Sequence, residues 1–177
     1  MKNYFFFILA FGFIKSQGQK VDFHINPGFI LAQVDGDGYG GYKKLSFSLG
    51  AGFRTNNQNK ETFLDWSTRI NQKGYREVND FTFDKVTLTY LETDVVYGKT
   101  LIGKIDLGMG AYFGYLLTNF RTTRRTDLAP LIRVGVKISE KTSIQSRFAW
   151  SVLSIRQKNY SSWLNRTLLF ELNYSLR

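Results

Sequence analysis

The sequence predicts an all-β fold, an eight-stranded antiparallel up-and-down transmembrane β-barrel. Three observations predict it. Apolar and polar residues alternate along most of the 177-residue chain, which is the pattern of strands with one apolar and one polar face. The amino terminus has the composition of a secretory leader. The connections between the predicted strands are alternately short and long, as they are in outer-membrane barrels.

The alternation is clearest in residues 44–54, which read Lys-Leu-Ser-Phe-Ser-Leu-Gly-Ala-Gly-Phe-Arg. Apolar side chains, most of them large, occupy every second position, and serine or glycine occupies most positions between them. The same pattern recurs in seven other segments, separated by clusters of Gly, Asn, Asp, Lys and Thr. We therefore predict strands at residues 21–31, 44–54, 62–74, 85–97, 104–117, 128–138, 142–155 and 165–177.

The first 18 residues contain the three regions of a signal peptide in the usual order. Lys2 supplies the positive charge, residues 4–14 are apolar, and residues 16–18 (Ser-Gln-Gly) suit a signal peptidase. The apolar run is shorter than the roughly 20 residues that a membrane-spanning helix needs. We therefore expect residues 1–18 to be a cleaved signal peptide, and residues 19–177 to form one barrel domain in the cell outer membrane.

One face of the first four strands is apolar and the other is polar and often charged. In the first strand, Phe23 and Ile25 share the apolar face, and Pro27-Gly28 predicts a bulge or kink. The fourth strand has the weakest alternation of the four. Charged residues on the polar face of these strands are Asp22, Arg54, Asp65, Arg69, Glu92 and Asp94.

The last four strands repeat this division. The fifth has the strongest alternation, with Ile105, Leu107 and Met109 opposite Asp106 and several glycines. The aromatic-rich apolar face suits lipid, and the polar face suits a narrow lumen. Charged residues on the polar face of these four strands are Asp106, Arg133, Lys137, Arg147 and Glu171.

A barrel of about eight strands is just wide enough inside for packed side chains. Buried charges must be paired, which favours an internal network of salt bridges and hydrogen bonds over a selective pore or a proton path. Its predicted members are Asp22, His24, Arg69, Asp106, Arg133, Arg147 and Glu171.

The predicted connections support an even number of strands. Short turns are expected at residues 98–103 and 139–141, with a less tight one at 55–61. Longer and mostly polar loops are expected at residues 33–42, 75–84, 118–126 and 156–164. With both chain ends in the periplasm, all four long loops lie on the cell exterior, as they do in bacterial outer-membrane barrels.

Three motifs occur in order along the chain: Asn-Gln-Lys-Gly at residues 71–74, Leu-Thr-Tyr-Leu-Glu at 88–92, and Gly-Met-Gly-Ala-Tyr-Phe-Gly-Tyr-Leu-Leu at 108–117. In this order and spacing the chain resembles the PorT-like outer-membrane β-barrel family of Gram-negative bacteria. The resemblance implies an eight-stranded outer-membrane barrel. A few family members resemble parts of a secretion system. The chain departs from the family at Thr93 and Asp94, where an aliphatic residue and proline are usual, and its end, Leu176-Arg177, lacks the usual aromatic residue.

The formal net charge is +10, and it is +8 without the leader lysines Lys2 and Lys15. Export to the envelope argues against a nucleic-acid partner. A basic surface that faces lipopolysaccharide or an anionic bilayer is the better explanation. The predicted contacts with lipopolysaccharide or a protein partner are loop residues Arg121, Arg124, Arg125, Tyr160 and Trp163.

The sequence offers little support for catalysis or cofactor binding. His24 is the only histidine and no cysteine is present, so neither a metal site nor any other cofactor is predicted. No serine lies in a recognisable nucleophile motif. We expect a monomeric, non-enzymatic barrel that acts through its loops in envelope integrity, partner docking or support of a secretion assembly. The alternatives are a lipid-modifying outer-membrane enzyme that uses His24 and a soluble periplasmic barrel that binds a hydrophobic ligand.

Overall fold

The computed structural model describes residues 21–35, 44–57, 61–79, 82–118, 124–154, 156–158 and 161–176. The predicted signal peptide lies outside these residues. In the described part of the chain, no helix is long and apolar enough to cross a membrane. The strands are β1 (Val21–Asp35), β2 (Lys44–Asn56), β3 (Thr62–Asn79), β4 (Thr82–Leu101), β5 (Ile105–Leu116), β6 (Thr126–Lys137), β7 (Thr142–Trp150), β8 (Arg156–Lys158) and β9 (Ser161–Ser175).

The strands form a closed antiparallel barrel. Each of β1 to β6 pairs with the next strand along the chain, β7 pairs with β9, and β9 pairs back with β1. The three-residue β8 pairs with β9 at the end of the barrel. The barrel wall therefore has eight strands, β1 to β7 and β9, which confirms the predicted fold class.

The strands are staggered around the barrel. Directly paired residues can be followed from Asp22 on β1 around all eight strands of the wall. They lead back to β1 at Ala32, ten residues farther along the chain. Such a stagger tilts the strands and sets the width of the barrel. With eight strands, the interior has room for side chains and little else.

The outer wall is apolar and the lumen is polar. Phe47 and Met109 are 73% and 71% exposed, whereas Arg133 is 1% exposed. A water-soluble barrel would have the opposite arrangement, because exposed apolar surface is unfavourable in water and unpaired buried charge is costly. The wall therefore suits the hydrocarbon core of a membrane. The alternative of a soluble barrel, which would have its apolar face inside, does not fit this arrangement.

Of the bulge or kink predicted at Pro27-Gly28, the structure excludes a bulge. Residues 21–32 of β1 pair with β2 in one continuous register, so no extra residue is inserted there. Gly28 instead permits a close approach between β1 and β9, because a Cβ at this position would lie 2.3 Å from the backbone oxygen of Phe170. The pairing of β1 with β9 skips Asn26 and Pro27, because the proline lacks the N–H that a ladder hydrogen bond needs.

Two of the predicted long loops contain strands. Residues 75–84 were expected to form a loop, but β3 and β4 stay paired as far as Asn79 and Thr82. The pairings of β3 with β2 and of β4 with β5 end at Asn71 and Tyr90, so this hairpin extends beyond its neighbours. In the predicted loop at residues 156–164, β8 and the start of β9 form a second, shorter hairpin.

Apolar side chains fill the part of the lumen that charges do not occupy. One buried cluster near the loop end contains Val34, Leu88, Tyr90 and Leu116. A second contains Phe63, Val96, Tyr112, Ala129, Leu131 and Ala149. A cavity of about 20 Å³, room for roughly one water molecule, lies between the charged and apolar sides of the lumen.

Candidate functional site

Four charged side chains form a closed ring across the middle of the lumen. Arg69 on β3 lies 2.7 Å from Asp94 on β4 and 3.0 Å from Glu171 on β9. Arg147 on β7 lies 2.7 Å from Asp94 and 2.9 Å from Glu171. Each arginine thus contacts both carboxylates, and the two positive charges balance the two negative charges. We call these residues the four-charge ring.

A second group of charges lies beside the ring. Arg133 Nη1 lies 2.9 Å from Asp65 Oδ2, and His24 Nε2 lies 3.5 Å from Asp65 Oδ1. The other ring nitrogen of His24 is 2.9 Å from Asn26 Oδ1. The hydroxyl of Ser67 donates to Asp65 rather than to the histidine, at 3.0 Å. The serine is bonded to the carboxylate and not to the imidazole, so the arrangement differs from the serine–histidine contact of a catalytic triad.

The end of the lumen nearest the short turns has its own ion pair. Arg54 contacts Asp106, which also accepts a hydrogen bond from the Thr100 hydroxyl at 2.6 Å. The guanidinium of Arg54 lies 3.9 Å from the centre of the Phe63 ring, and that of Arg133 lies 4.7 Å from it. Phe63 thus receives two cation–π contacts, which links this ion pair to the group around Asp65.

The end of the lumen nearest the loops is organised around Asp127. Its Oδ2 accepts hydrogen bonds from Lys73 Nζ at 3.1 Å, the Tyr112 hydroxyl at 2.8 Å and Asn165 Nδ2 at 2.9 Å. The Ser151 hydroxyl donates to the other oxygen. Asp127 lies directly after the β5–β6 loop, and its donors come from β3, β5, β9 and the segment after β7. It therefore ties that loop to the barrel wall.

The structure places every predicted lumen charge inside the barrel. Arg69, Arg147 and Glu171 meet in the four-charge ring, while Arg133 and Asp106 belong to the groups described above. Asp22 is buried near the turn end, 3.5 Å from the amide nitrogen of Asn56. The predicted members thus belong to several groups that are joined to one another, since the Ser67 hydroxyl accepts from Arg147 at 3.4 Å and donates to Asp65.

Lys73 and Asp127 are two lumen residues outside the network predicted from the sequence. Lys73 is fully buried and contacts Glu92 as well as Asp127. Lys73 lies two residues after Asn71 and four residues after Arg69. Side chains at these spacings point to the same face of a strand, so all three face the lumen. This alternation predicts that Lys73, which also belongs to the Asn-Gln-Lys-Gly motif, faces the lumen. Asp127 lay outside the predicted sixth strand, which in fact begins at Thr126.

The predicted contact residues are distributed unevenly over the described chain. Arg124 and Arg125 are exposed at the end of the β5–β6 loop. Arg121 and Tyr160 lie outside the described residues. Trp163 belongs to β9, near the β8–β9 hairpin. No group of three or more potential metal ligands occurs among the described residues.

The two connections that hold these residues are strongly basic in sequence. Residues 117–126 and 151–166 contain six cationic residues and no acidic residue. The two connections are also close in space, since β6 pairs with β7 and Val152 N donates to Leu128 O at 2.8 Å. We call these two segments the basic loop pair. Its cations are Arg121, Arg124, Arg125, Arg156, Lys158 and Arg166.

Two arginines of the basic loop pair contact aromatic residues on the outer wall. Arg125 Nη1 donates to the hydroxyl of Tyr115 at 3.3 Å. The guanidinium of Arg166 lies 4.1 Å from the centre of the Trp150 ring. Tyr115 and Trp150 are 41% and 46% exposed and face away from the lumen. These two arginine–aromatic pairs place positive charge beside the lipid-facing wall at its loop end.

The structure is similar to solved outer-membrane β-barrels. The attachment invasion locus protein Ail of Yersinia pestis matches with a TM-score of 0.58 at 16% identity, covering 89% of this chain and 99% of Ail. Neisserial surface protein A matches with a TM-score of 0.55 at 9% identity, covering 90% of this chain and all of that protein. The chain has their fold.

A further Ail structure, in complex with the heparin analogue sucrose octasulfate, matches with a TM-score of 0.51 at 15% identity, covering 89% of this chain and 99% of Ail. No family model and no curated protein matches the sequence. The similarity therefore extends to the architecture of the barrel, and the role of this chain depends on its own residues.

Proposed function

We propose that this protein is a non-enzymatic outer-membrane barrel whose basic loop pair binds the phosphate groups of lipopolysaccharide. The main support for the proposal is the two arginine–aromatic pairs, Arg125 with Tyr115 and Arg166 with Trp150. They combine a phosphate-binding guanidinium with a ring suited to the membrane interface, on the wall that faces neighbouring lipid molecules. Lipopolysaccharide presents phosphates at that level of the outer leaflet.

The charge distribution supports an anionic ligand. The described lumen charges are largely paired with one another. Residues 117–126 and 151–166 contain six cationic residues and no acidic one, so the loop end has a net positive charge in these segments. Arginine suits phosphate and sulfate because its planar fork donates two parallel hydrogen bonds. The complex of Ail with sucrose octasulfate shows a barrel of this fold with a polyanion, which is consistent with the proposal.

The cellular setting is part of the same proposal. An outer-membrane location fits the apolar wall and the outer-membrane proteins that share the fold. Cleavage of residues 1–18, a monomeric state and kinship with PorT-like barrels are parts of the proposal that come from the sequence. Lipopolysaccharide bound by the loops would contribute to envelope integrity, and the same basic surface would dock an acidic protein partner, such as a component of a secretion assembly.

Binding of purified lipopolysaccharide to the barrel in lipid nanodiscs tests the proposal. Arg125→Gln and Arg166→Gln should each weaken binding about tenfold, since a hydrogen bond to a charged group contributes roughly 1.5–3 kcal/mol. Lys99→Gln is the matched control, because Lys99 is exposed near the turns at the opposite end of the barrel and lies 3.9 Å from Glu61. Binding should also weaken as salt is added.

Dephosphorylated lipopolysaccharide separates phosphate recognition from general affinity for lipid. Dephosphorylated lipopolysaccharide should bind the unmodified barrel as weakly as intact lipopolysaccharide binds the double variant with Arg125→Gln and Arg166→Gln. Equal binding of both forms by the unmodified barrel would disprove the proposal.

A further inference from the structure

The β4–β5 turn has an unusual residue at its tip. Leu101 and Lys104 are joined by two residues, and Lys104 N donates to Leu101 O at 3.1 Å. Ile102 and Gly103 have φ angles of +49° and +67°. Two successive positive φ angles in a two-residue hairpin define a type I′ turn, which normally contains Asn, Asp or Gly.

Isoleucine is poorly suited to this position. A β-branched side chain at positive φ is a rare conformation, because the branch crowds the backbone. Its side chain is 93% exposed, so packing within the described chain does not offset this strain. The combination of a strained backbone and an exposed apolar side chain indicates a contact outside the chain.

The surroundings of Ile102 indicate the nature of that contact. Ile138, in the neighbouring β6–β7 turn, is 62% exposed. Val136 and Ile105 pair with each other directly above the two turns and belong to the lipid-facing wall. Apolar side chains of the outer wall therefore reach the base of the β4–β5 turn, next to Ile102.

Exposed lysines surround this apolar tip. Lys104 closes the β4–β5 turn, and Lys141 lies in the β6–β7 turn next to the exposed Glu140. Lys99 faces outward on β4 and lies 3.9 Å from Glu61, so Lys104 and Lys141 are the cations closest to the tip. Apolar side chains with lysines around them suit the boundary between acyl chains and anionic headgroups. A water-exposed protein surface would not need the apolar tip, and a neutral lipid surface would not need the lysines.

We propose that the β4–β5 turn is a membrane anchor, in which Ile102 inserts into the phospholipid leaflet at the turn end of the barrel and Lys104 and Lys141 bind anionic headgroups. The bound surface is a phospholipid leaflet that contains acidic lipid. This site lies at the opposite end of the barrel from the basic loop pair and does not depend on lipopolysaccharide binding.

The test compares the stability of Ile102→Asn in different lipid environments. In detergent micelles the variant should unfold at a urea concentration about 0.5 M higher than the unmodified protein, because asparagine relieves the strain. In phosphatidylcholine vesicles that contain phosphatidylglycerol, this gain should disappear or reverse, because the inserted side chain is lost. Ile102→Val, which keeps the shape and apolar character, should behave like the unmodified protein in both.

The second part of the test examines Lys104 and Lys141. Phosphatidylglycerol should raise the urea midpoint of the unmodified protein relative to phosphatidylcholine alone, and Lys104→Gln with Lys141→Gln should remove that rise. An equal gain for Ile102→Asn in micelles and in both kinds of vesicle would overturn the proposal, because the turn would then contact no lipid. It would also point to a protein partner for this tip.

Discussion

Arg147 on β7 reaches across the lumen to Asp94 on β4, and the guanidinium lies 2.7 Å from both carboxylate oxygens. The strands between them, β5 and β6, contribute no charge to the four-charge ring. Arg69 and Glu171 complete the ring from β3 and β9. The ring therefore holds opposite walls of the barrel together at its narrow middle, where every charge has two opposite neighbours.

Arg147→Met should destabilise the barrel by about 3–5 kcal/mol, because it leaves two carboxylates buried with one arginine between them. Urea unfolding in micelles, followed by tryptophan fluorescence, measures the change. Lys99→Met is the control, since Lys99 is exposed and 3.9 Å from an equally exposed Glu61. Its effect should stay within about 0.5 kcal/mol.

Asp94→Asn combined with Arg147→Met should cost less than the sum of the two single changes. Removing both partners leaves fewer uncompensated buried charges, so the coupling energy should be about 1–3 kcal/mol. The same unfolding measurement on four proteins gives this value. Strict additivity would mean that the two side chains do not interact in the folded barrel.

Lys73→Met should loosen the β5–β6 loop as well as destabilise the barrel. Lys73 is the buried cation between Glu92 and Asp127, and Asp127 lies two residues after Arg125. Limited trypsin digestion of the folded protein should then cut within residues 121–125 several times faster. Lys141→Met changes an exposed lysine and should leave the cleavage rate unchanged; an unchanged rate in Lys73→Met would show that Asp127 does not tie down the loop.

Gly110→Ala should strongly impair folding, because the added Cβ would lie 1.9 Å from the backbone oxygen of Val95. Overpacking of this kind costs roughly 1–3 kcal/mol or more. Gly135→Ala is the matched control on the next strand, where the nearest atom would be 3.4 Å away and belongs to the flexible side chain of Gln145. Folding yields and urea midpoints of the two variants should differ clearly, and similar values would contradict the close strand approach.

His24→Asn should leave the lipids of a vesicle chemically unchanged, as the unmodified protein does. The histidine is buried between Asn26 and Asp65, and the nearby Ser67 donates to Asp65. Mass spectrometry of phospholipid and lipopolysaccharide incubated with both proteins checks this. Acyl-chain removal by the unmodified protein, lost in the variant, would instead favour the lipid-modifying enzyme.

Much of the barrel could be predicted from the sequence, because successive side chains of a strand point to opposite faces. Even β4, whose alternation is weak, has Leu91 and Val95 outside and Glu92 and Asp94 inside, as expected. The loop at residues 75–84 was mispredicted because its polar composition concealed paired strands. Polar side chains indicate that a segment is exposed to water. They do not prevent a hairpin, because strands pair through backbone hydrogen bonds that polar residues also make.

The sequence by itself determined which side chains face lipid and which face the lumen, since that division follows from a period of two along each strand. Only the tertiary structure decided which lumen charges meet. Arg147 and Asp94 are 53 residues apart in the chain, and they meet because the barrel closes with a stagger of ten residues between Asp22 and Ala32. The same closure placed Asp127 beneath the basic loop pair and left Ile102 exposed at the tip of its turn. Local alternation contains no information about that stagger, which arises from the summed pairing of all eight strands.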